Sequence, residues 1–115
     1  MIQLHPGVRV YLACGYTDMR RGFDGLAMQV QEVLKEDPFC GALFAFRGRR
    51  GDLVKILWWD TQGLCLFAKR LEHGRFVWPM TARGTVSLTA GQLWLLLEGI
   101  DWRVPLQKRQ PVLAG

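Results

Sequence analysis

Between Gly41 and Trp78 the sequence is a series of short apolar runs separated by turn residues, and this pattern constrains the fold more than any other feature. The runs are rich in aromatic and β-branched residues, and glycine and aspartate recur in the gaps, as in strands joined by tight turns. They cover Gly41–Phe46, Leu53–Trp59, Leu64–Leu71 and Arg75–Trp78. We therefore predict four consecutive antiparallel strands in a meander.

A strand signal and helical spacing precede this central region. Val8–Ala13 predicts a first strand. A helix follows, with Thr17 or Asp18 as its cap and its end before Asp37-Pro38, because a residue preceding proline avoids helical backbone angles. Its predicted buried face consists of the apolar positions spaced three and four apart: Phe23, Leu26, Ala27, Val30, Val33 and Leu34.

After the central region, Thr85–Leu88 predicts a further strand and Thr89–Glu98 a second helix. Thr89 and Gln92 have the spacing of a capping box, and Gly99 stands at the stop. This helix is so apolar that we expect it to be buried against the sheet or against another subunit. The residues responsible are Leu93, Trp94, Leu96 and Leu97.

A chain of 115 residues is long enough for one hydrophobic core but too short for two domains. We predict a single α+β domain over residues 1–104, with an antiparallel meander of four to six short strands packed with two helices. Residues 105–115 contain Lys108 and Arg109 without any periodic pattern, which predicts a flexible basic tail.

The cysteines and histidines do not indicate a metal, redox or cofactor site. Cys14, Cys40 and Cys65 are far apart and lie among apolar residues, a pattern typical of reduced structural thiols in a cytoplasmic protein. His5 and His73 have no partner ligand nearby in the sequence. We expect no cofactor and no bound metal.

No secretory signal or membrane segment is expected. Gln3, His5 and Arg9 interrupt any apolar run near the start, and no stretch approaches the roughly 20 apolar residues that cross a bilayer. The predicted location is the cytoplasm. The net charge of +5 and the pI near 9.6 favour polyanionic partners, of which nucleic acid is the commonest.

Most of this net charge comes from the segment between positions 47 and 75, where only Asp52, Asp60 and Glu72 oppose the cations. Three of the arginines lie in a glycine-rich turn between two predicted strands, and arginine forks bind phosphates and guanine edges. We predict that a basic hairpin binds DNA; the alternative is a solvated turn whose arginines only maintain solubility. The predicted contact residues are Arg47, Arg49, Arg50, Lys55, Lys69, Arg70 and Arg75.

Two further groups have possible chemistry. Trp58 and Trp59 are adjacent in a strand and therefore point to opposite faces, so they cannot form one stacking platform for bases. Four aspartates invite comparison with metal-dependent nucleases, but turn and cap positions explain them locally, and catalysis is not expected. They are Asp18, Asp24, Asp52 and Asp60.

An ordered series of short motifs carries a family resemblance over nearly the whole chain. It includes Tyr16-Thr17-Asp18-Met19-Arg20, Gly22-Phe23-Asp24-Gly25-Leu26, Phe46–Asp52, Leu57-Trp58-Trp59-Asp60, Lys69-Arg70-Leu71-Glu72 and Leu97–Trp102. With these motifs the chain resembles the TnpB-type accessory proteins of the insertion-sequence-66 transposon family. The resemblance implies a small protein encoded beside a separate transposase, required for efficient transposition and without a catalytic site of its own.

Taken together, charge and resemblance predict a non-catalytic accessory protein that binds DNA, such as transposon ends, and assists the transposase of the same element. A second hypothesis is an adaptor whose apolar surface around Trp59, Trp94 and Trp102 holds the transposase or a second copy of the chain. A third is a nuclease that depends on Asp52 or Asp60 and a metal ion.

Overall fold

A computed structural model describes residues 5–103, so the predicted tail at 105–115 lies outside the described residues. Within that range the chain forms five strands and two helices. In chain order they are β1 (Val10–Tyr16), α1 (Phe23–Glu32), β2 (Leu43–Arg47), β3 (Leu53–Trp59), β4 (Leu64–Arg70), β5 (Thr85–Leu88) and α2 (Ala90–Leu97).

The strands form one sheet in the order β4-β3-β2-β1-β5. β3 pairs antiparallel with β2 and β4, and β5 pairs antiparallel with β1. β1 and β2, however, are parallel, with Val10 opposite Leu43. The α+β class is confirmed and the all-antiparallel sheet is wrong, because α1 forms a crossover that returns the chain in its original direction.

The segment Arg75–Trp78, predicted as the fourth strand of the meander, is not a strand. Phe76 and Trp78 are buried, and the intervening Val77 is partly exposed, which reproduces the alternation of a strand. The N–H of Phe76 donates to the carbonyl of Gly51 (3.0 Å), but no ladder of hydrogen bonds follows. The segment therefore crosses the β2–β3 turn as an extended strap. The strand predicted at Thr85–Leu88 is confirmed as β5.

α1 begins later than the predicted caps imply. Gly22 is its N-cap and no side chain caps it, so the prediction of Thr17 or Asp18 as cap is wrong. Leu26 and Val30 are buried as predicted, whereas Phe23 and Val33 are exposed. Phe23 is the first residue of α1, and the helix ends at Glu32, ahead of Val33, so the buried face is narrower than the apolar pattern.

α2 has the predicted capping box. The Thr89 hydroxyl accepts from the N–H of Gln92 (3.0 Å), and the Gln92 side chain accepts from the N–H of Thr89 (2.8 Å). Leu93, Leu96 and Leu97 are buried against the sheet, as predicted, whereas Trp94 is 47% exposed. Only one side of α2 faces the sheet.

The sheet has a core on each face. On one face α1 covers Phe44, Phe46 and Leu57, and on the other α2 and the strap cover residues such as Val54 and Ile56. The three cysteines are free. Neither of the helices found between residues 5 and 103 is long and apolar enough to cross a membrane.

Candidate nucleic-acid interface

The parallel pairing of β1 and β2 creates the site. Because the two strands run in the same direction, the loops that follow them leave the same edge of the sheet and lie side by side. The N–H of Thr17 donates to the carbonyl of Arg47 (2.9 Å) across the gap. The end of β4 and the strap reach the same edge. We call the surface formed by residues 16–22, 47–55 and 70–75 the basic edge.

The β2–β3 turn at the centre of the basic edge is held by hydrogen bonds that the strap donates to its backbone. The carbonyl of Gly51 accepts from the N–H of Phe76 and from Nε1 of Trp78, both at 3.0 Å. On the other side, a Cβ added to Gly48 would approach Cγ of Met19 to 2.6 Å, so the 16–22 loop packs directly on the turn.

The arginine side chains of the turn have two environments. The Arg47 guanidinium lies 4.9 Å from the ring centre of Tyr16 and 5.0 Å from that of Trp78. Arg49 lies 5.5 Å from the Tyr16 ring but is otherwise exposed, as is Arg50. Cation–π contacts thus order Arg47 and Arg49 without neutralising them.

The other predicted cations divide between the two faces of the sheet. Lys55 and Arg70 lie on the α1 face beside the turn, where Lys55 Nζ donates to the carbonyl of Arg21 (3.0 Å). Arg75 is exposed, with its Cδ 3.4 Å from a Cβ built on Gly51. Lys69 lies on the α2 face, and its Nζ donates to the carbonyl of Leu97 (2.7 Å) at the carboxyl end of α2.

The structure therefore brings together six of the predicted residues and leaves one apart. Arg47, Arg49, Arg50, Lys55, Arg70 and Arg75 belong to the basic edge. Lys69 interacts instead with the carboxyl end of a helix, where a cation is favoured.

Sequence reasoning missed two cations of this edge. Arg20 and Arg21 were not among the predicted contact residues, but both precede the first residue of α1 and lie in the 16–22 loop. Nη1 of Arg21 donates to Oε1 of the buried Gln29, and Nε2 of Gln29 donates to the Thr17 hydroxyl, both at 2.8 Å. Gln29 is a polar residue on the buried face of α1, and in the sequence this indicates a hydrogen-bond partner such as Arg21.

Carboxylates neutralise little of this charge. Within residues 5–103 the one ion pair at the basic edge joins Arg20 to Asp18 at 2.8 Å. Hydrogen bonds from the Arg20 side chain hold the pKa of Asp18 well below its ordinary value. Asp52 has neither a salt bridge nor a side-chain hydrogen bond to any residue of the described chain.

A cleft of about 420 Å³ opens at the centre of the basic edge. One wall is the loop from Tyr16 to Met19, and the other runs from Gly48 to Leu53. Aromatic, cationic and carboxylate side chains therefore face one space, with Tyr16, Arg49, Arg50 and Asp52 among them.

The geometry does not support the metal-dependent nuclease hypothesis. Asp52 and Asp60 lie at opposite ends of β3, whose seven residues extend about 3.3 Å each, so one metal ion cannot bind both. No group of three or more potential metal ligands converges anywhere in the described range.

The three tryptophans of the adaptor hypothesis do not share a surface. Trp102 is 6% exposed, and its Nε1 donates to the carbonyl of Val77 (2.7 Å), so its inclusion was wrong. Trp59 packs edge-on against Phe39, with ring centres 5.5 Å apart. Trp94 lies on α2, which covers the opposite face of the sheet.

Comparison with known proteins places the chain in a family. Residues 8–107 match the family described as IS66 Orf2 like protein. The chain belongs to the IS66 Orf2-like family. It is 52% identical over the full length of both chains to the uncharacterized protein y4hO of Sinorhizobium fredii (strain NBRC 101917 / NGR234). It is 39% identical to the uncharacterized protein y4jC of the same strain, over 97% of this chain and 94% of that protein.

No solved structure matches this IS66 Orf2-like chain. The family match confirms the resemblance inferred from the motifs and indicates an accessory role in transposition. The two uncharacterized relatives give no information about a ligand.

Proposed function

We propose that this IS66 Orf2-like protein assists a separate transposase by binding DNA, such as the transposon ends, through the basic edge. The observation that carries this proposal is the gathering of unneutralised guanidinium groups from three chain segments at one edge of the sheet. They come from the 16–22 loop, the β2–β3 turn and the end of β4 with the strap.

The chemistry of these groups suits a phosphate backbone. Exposed guanidinium groups at Arg49, Arg50, Arg70 and Arg75 can each form paired hydrogen bonds with phosphate oxygens. Every phosphate that is neutralised releases about 0.9 of a condensed counterion from duplex DNA, so affinity falls as salt rises.

The anchoring of the turn supports the same proposal. Gly51 accepts two hydrogen bonds from the strap, and the guanidinium of Arg47 contacts two aromatic rings. The backbone under the exposed arginines is thus fixed before binding. A fixed surface loses less conformational entropy on association than a mobile hairpin would.

The test is a fluorescence anisotropy titration of duplex DNA, from the ends of the same element and of unrelated sequence, at several salt concentrations. Arg49→Ala with Arg50→Ala should weaken binding and reduce the slope of log affinity against log salt by about 1.8, because two phosphate contacts are lost. The matched control removes two positive charges from another part of the surface, with the substitutions Arg9→Ala and Lys35→Asn.

Both control residues are exposed and lie away from the basic edge, at the start of β1 and beyond the end of α1. Asparagine is chosen at Lys35 because it tolerates the positive φ of 57° there. Equal affinity and equal salt slope for the wild type and the Arg49/Arg50 variant would refute the proposal, as would an equal loss in the control.

A protein–protein role remains as a second candidate because three large apolar side chains on or just after α1 are exposed. Phe23, Met28 and Val33 are 48%, 55% and 64% exposed. An adaptor that binds the transposase through this surface would be retained on immobilised transposase in high salt and after nuclease treatment. Direct DNA binding instead predicts loss of a DNA-mediated association in both conditions.

A further inference from the structure

The cleft at the centre of the basic edge has a composition that phosphate binding alone does not explain. Arg49 and Arg50 suit a phosphate, but Asp52 lines the same space with a carboxylate that makes no salt bridge or side-chain hydrogen bond within residues 5–103. A carboxylate beside a phosphate is repelled. Asp52 is instead suited to a ligand group that donates hydrogen bonds.

A nucleobase supplies such donors. Carboxylates accept hydrogen bonds from the amino groups of bases, and the edges of an unpaired base are free to form them. Guanine fits best, because its N1–H and N2–H are adjacent donors that match the two oxygens of one carboxylate. Thymine has a single donor on that edge and no amino group.

The opposite wall supplies an aromatic surface. Tyr16 is 58% exposed, lines the cleft, and has the guanidinium groups of Arg47 and Arg49 at 4.9 and 5.5 Å from its ring centre. Exposed aromatic rings at cationic grooves are where single-stranded nucleic acids stack their bases.

The dimensions of the cleft agree with this ligand. Its volume of about 420 Å³ falls within the range of small-molecule sites. A base in a duplex is stacked and paired, so it cannot enter a cleft between two loops unless it leaves the helix.

We infer that the cleft between Tyr16 and Asp52 binds one unpaired base of a DNA strand, guanine in preference to thymine, while the surrounding arginines hold the flanking phosphates. This inference rests on the proposed function and narrows it to DNA with unpaired nucleotides, such as hairpins, frayed ends or single-stranded extensions. The exposed cations outside the cleft, Arg70 and Arg75, favour a strand over a free nucleotide.

The experiment compares three probes by fluorescence anisotropy: a blunt duplex, the same duplex with a thymine extension, and the duplex with one guanine in that extension. The wild type should bind the guanine probe most tightly and the blunt duplex least. Tyr16→Ala should weaken binding to both extended probes at least about fivefold, whereas Tyr16→Phe, which keeps the ring, should not.

Asp52→Asn separates base recognition from charge. It should abolish the preference for guanine over thymine and slightly strengthen binding of the blunt duplex, because a negative charge is removed from a phosphate-binding surface. Asp60→Asn makes the same chemical change at the other end of β3 and should alter neither property. Circular dichroism and thermal melts confirm that each variant is folded.

The outcomes distinguish the two proposals. If no DNA is bound, the proposed function fails and this inference with it. If all three probes bind equally and the arginine variants weaken them, DNA binding stands and the base site is overturned. Binding of deoxyguanosine monophosphate as tightly as the guanine probe would also overturn it, because a free nucleotide would then suffice.

Discussion

The two turns at the ends of β3 are built in opposite ways. At the β3–β4 turn, the Asp60 carboxylate accepts from the N–H groups of Gln62 and Gly63 at 2.9 and 3.0 Å, so the turn supplies its own hydrogen bonds. At the β2–β3 turn, one backbone bond is internal, from the N–H of Gly51 to the carbonyl of Gly48 (3.3 Å), and the strap supplies two more through Phe76 and Trp78. A self-contained turn uses its polar side chain, whereas an externally held turn leaves its side chains available for a ligand.

This contrast explains why the side chains available to a ligand lie at one end of β3. Asp60 is engaged by its own loop, while Arg50 and Asp52 have no side-chain hydrogen bonds or salt bridges in the described part of the chain. Two of the hydrogen bonds that hold the backbone of the basic edge come from residues more than twenty positions away. Changes in the two turns should therefore have different consequences for stability.

The largest difference is expected for alanine in place of a glycine in each turn. Gly51 has φ +78°, and a Cβ there would lie 3.2 Å from Nε1 of Trp78. Gly51→Ala should therefore destabilise the protein by about 1–2 kcal/mol through left-handed strain, with a further cost from displacing Trp78. Urea unfolding followed by tryptophan fluorescence measures it.

Gly63 is the matched control for this substitution. A Cβ added to Gly63 meets nothing within 4 Å, and the φ of Gly63 is not in the left-handed region. Gly63→Ala should be within about 0.5 kcal/mol of wild type or slightly stabilising. Equal effects at the two glycines would show that the β2–β3 turn can relax around a Cβ at Gly51, against the strain and the contact with Trp78 expected here.

The next effect has the opposite sign and belongs to the β3–β4 turn. Thr61 has φ +82°, a conformation that a β-branched residue rarely adopts. Thr61→Asn should stabilise the protein by about 0.5–1 kcal/mol, since asparagine tolerates this backbone conformation. The midpoint of urea unfolding should rise with an unchanged m-value; a lower midpoint would show that Thr61 makes compensating contacts.

The sequence predicted the local parts of this architecture better than the long-range ones. β2, β3 and β4 follow from alternation and the turns between them, and the capping box of α2 follows from the spacing of Thr89 and Gln92. Whether β1 and β2 are parallel or antiparallel depends on how the helix between them crosses the sheet. No local residue pattern determines that crossing. Because the parallel pairing of β1 and β2 was not predicted, Arg20 and Arg21 were not placed beside the β2–β3 turn.

The strap and Lys69 illustrate a second limit. Phe76 and Trp78 alternate as strand residues do, and only the structure shows that their backbone crosses a turn rather than joining a ladder. Strand alternation predicts that Lys69 and Arg70 lie on opposite faces of the sheet. It does not predict that Lys69 donates to the carbonyl of Leu97 at the end of α2, twenty-eight positions away. Pairing between distant elements is set by packing, and spacing in the sequence does not reveal it.

The smallest expected effect concerns pH and compares the carboxylates of the two regions. Hydrogen bonds from the N–H groups of Gln62 and Gly63 lower the pKa of Asp60, and hydrogen bonds from Arg20 lower that of Asp18. A lowered folded-state pKa gives stability that is complete above the ordinary aspartate value near 3.8 and is lost as pH falls through the folded value. Asp60→Asn and Asp18→Asn should each remove part of this acid dependence.

Salt should separate the two cases. Backbone N–H groups of a fixed loop hold Asp60, so its pKa should change little between low and high salt, whereas the exposed charge pair of Arg20 and Asp18 is screened. Carboxyl carbon NMR titrations at both salt concentrations measure this directly. The pKa of Asp18 should rise towards its ordinary value in high salt and that of Asp60 should stay low. If both rise together, the β3–β4 turn is not self-contained, and the contrast with the basic edge loses its physical basis.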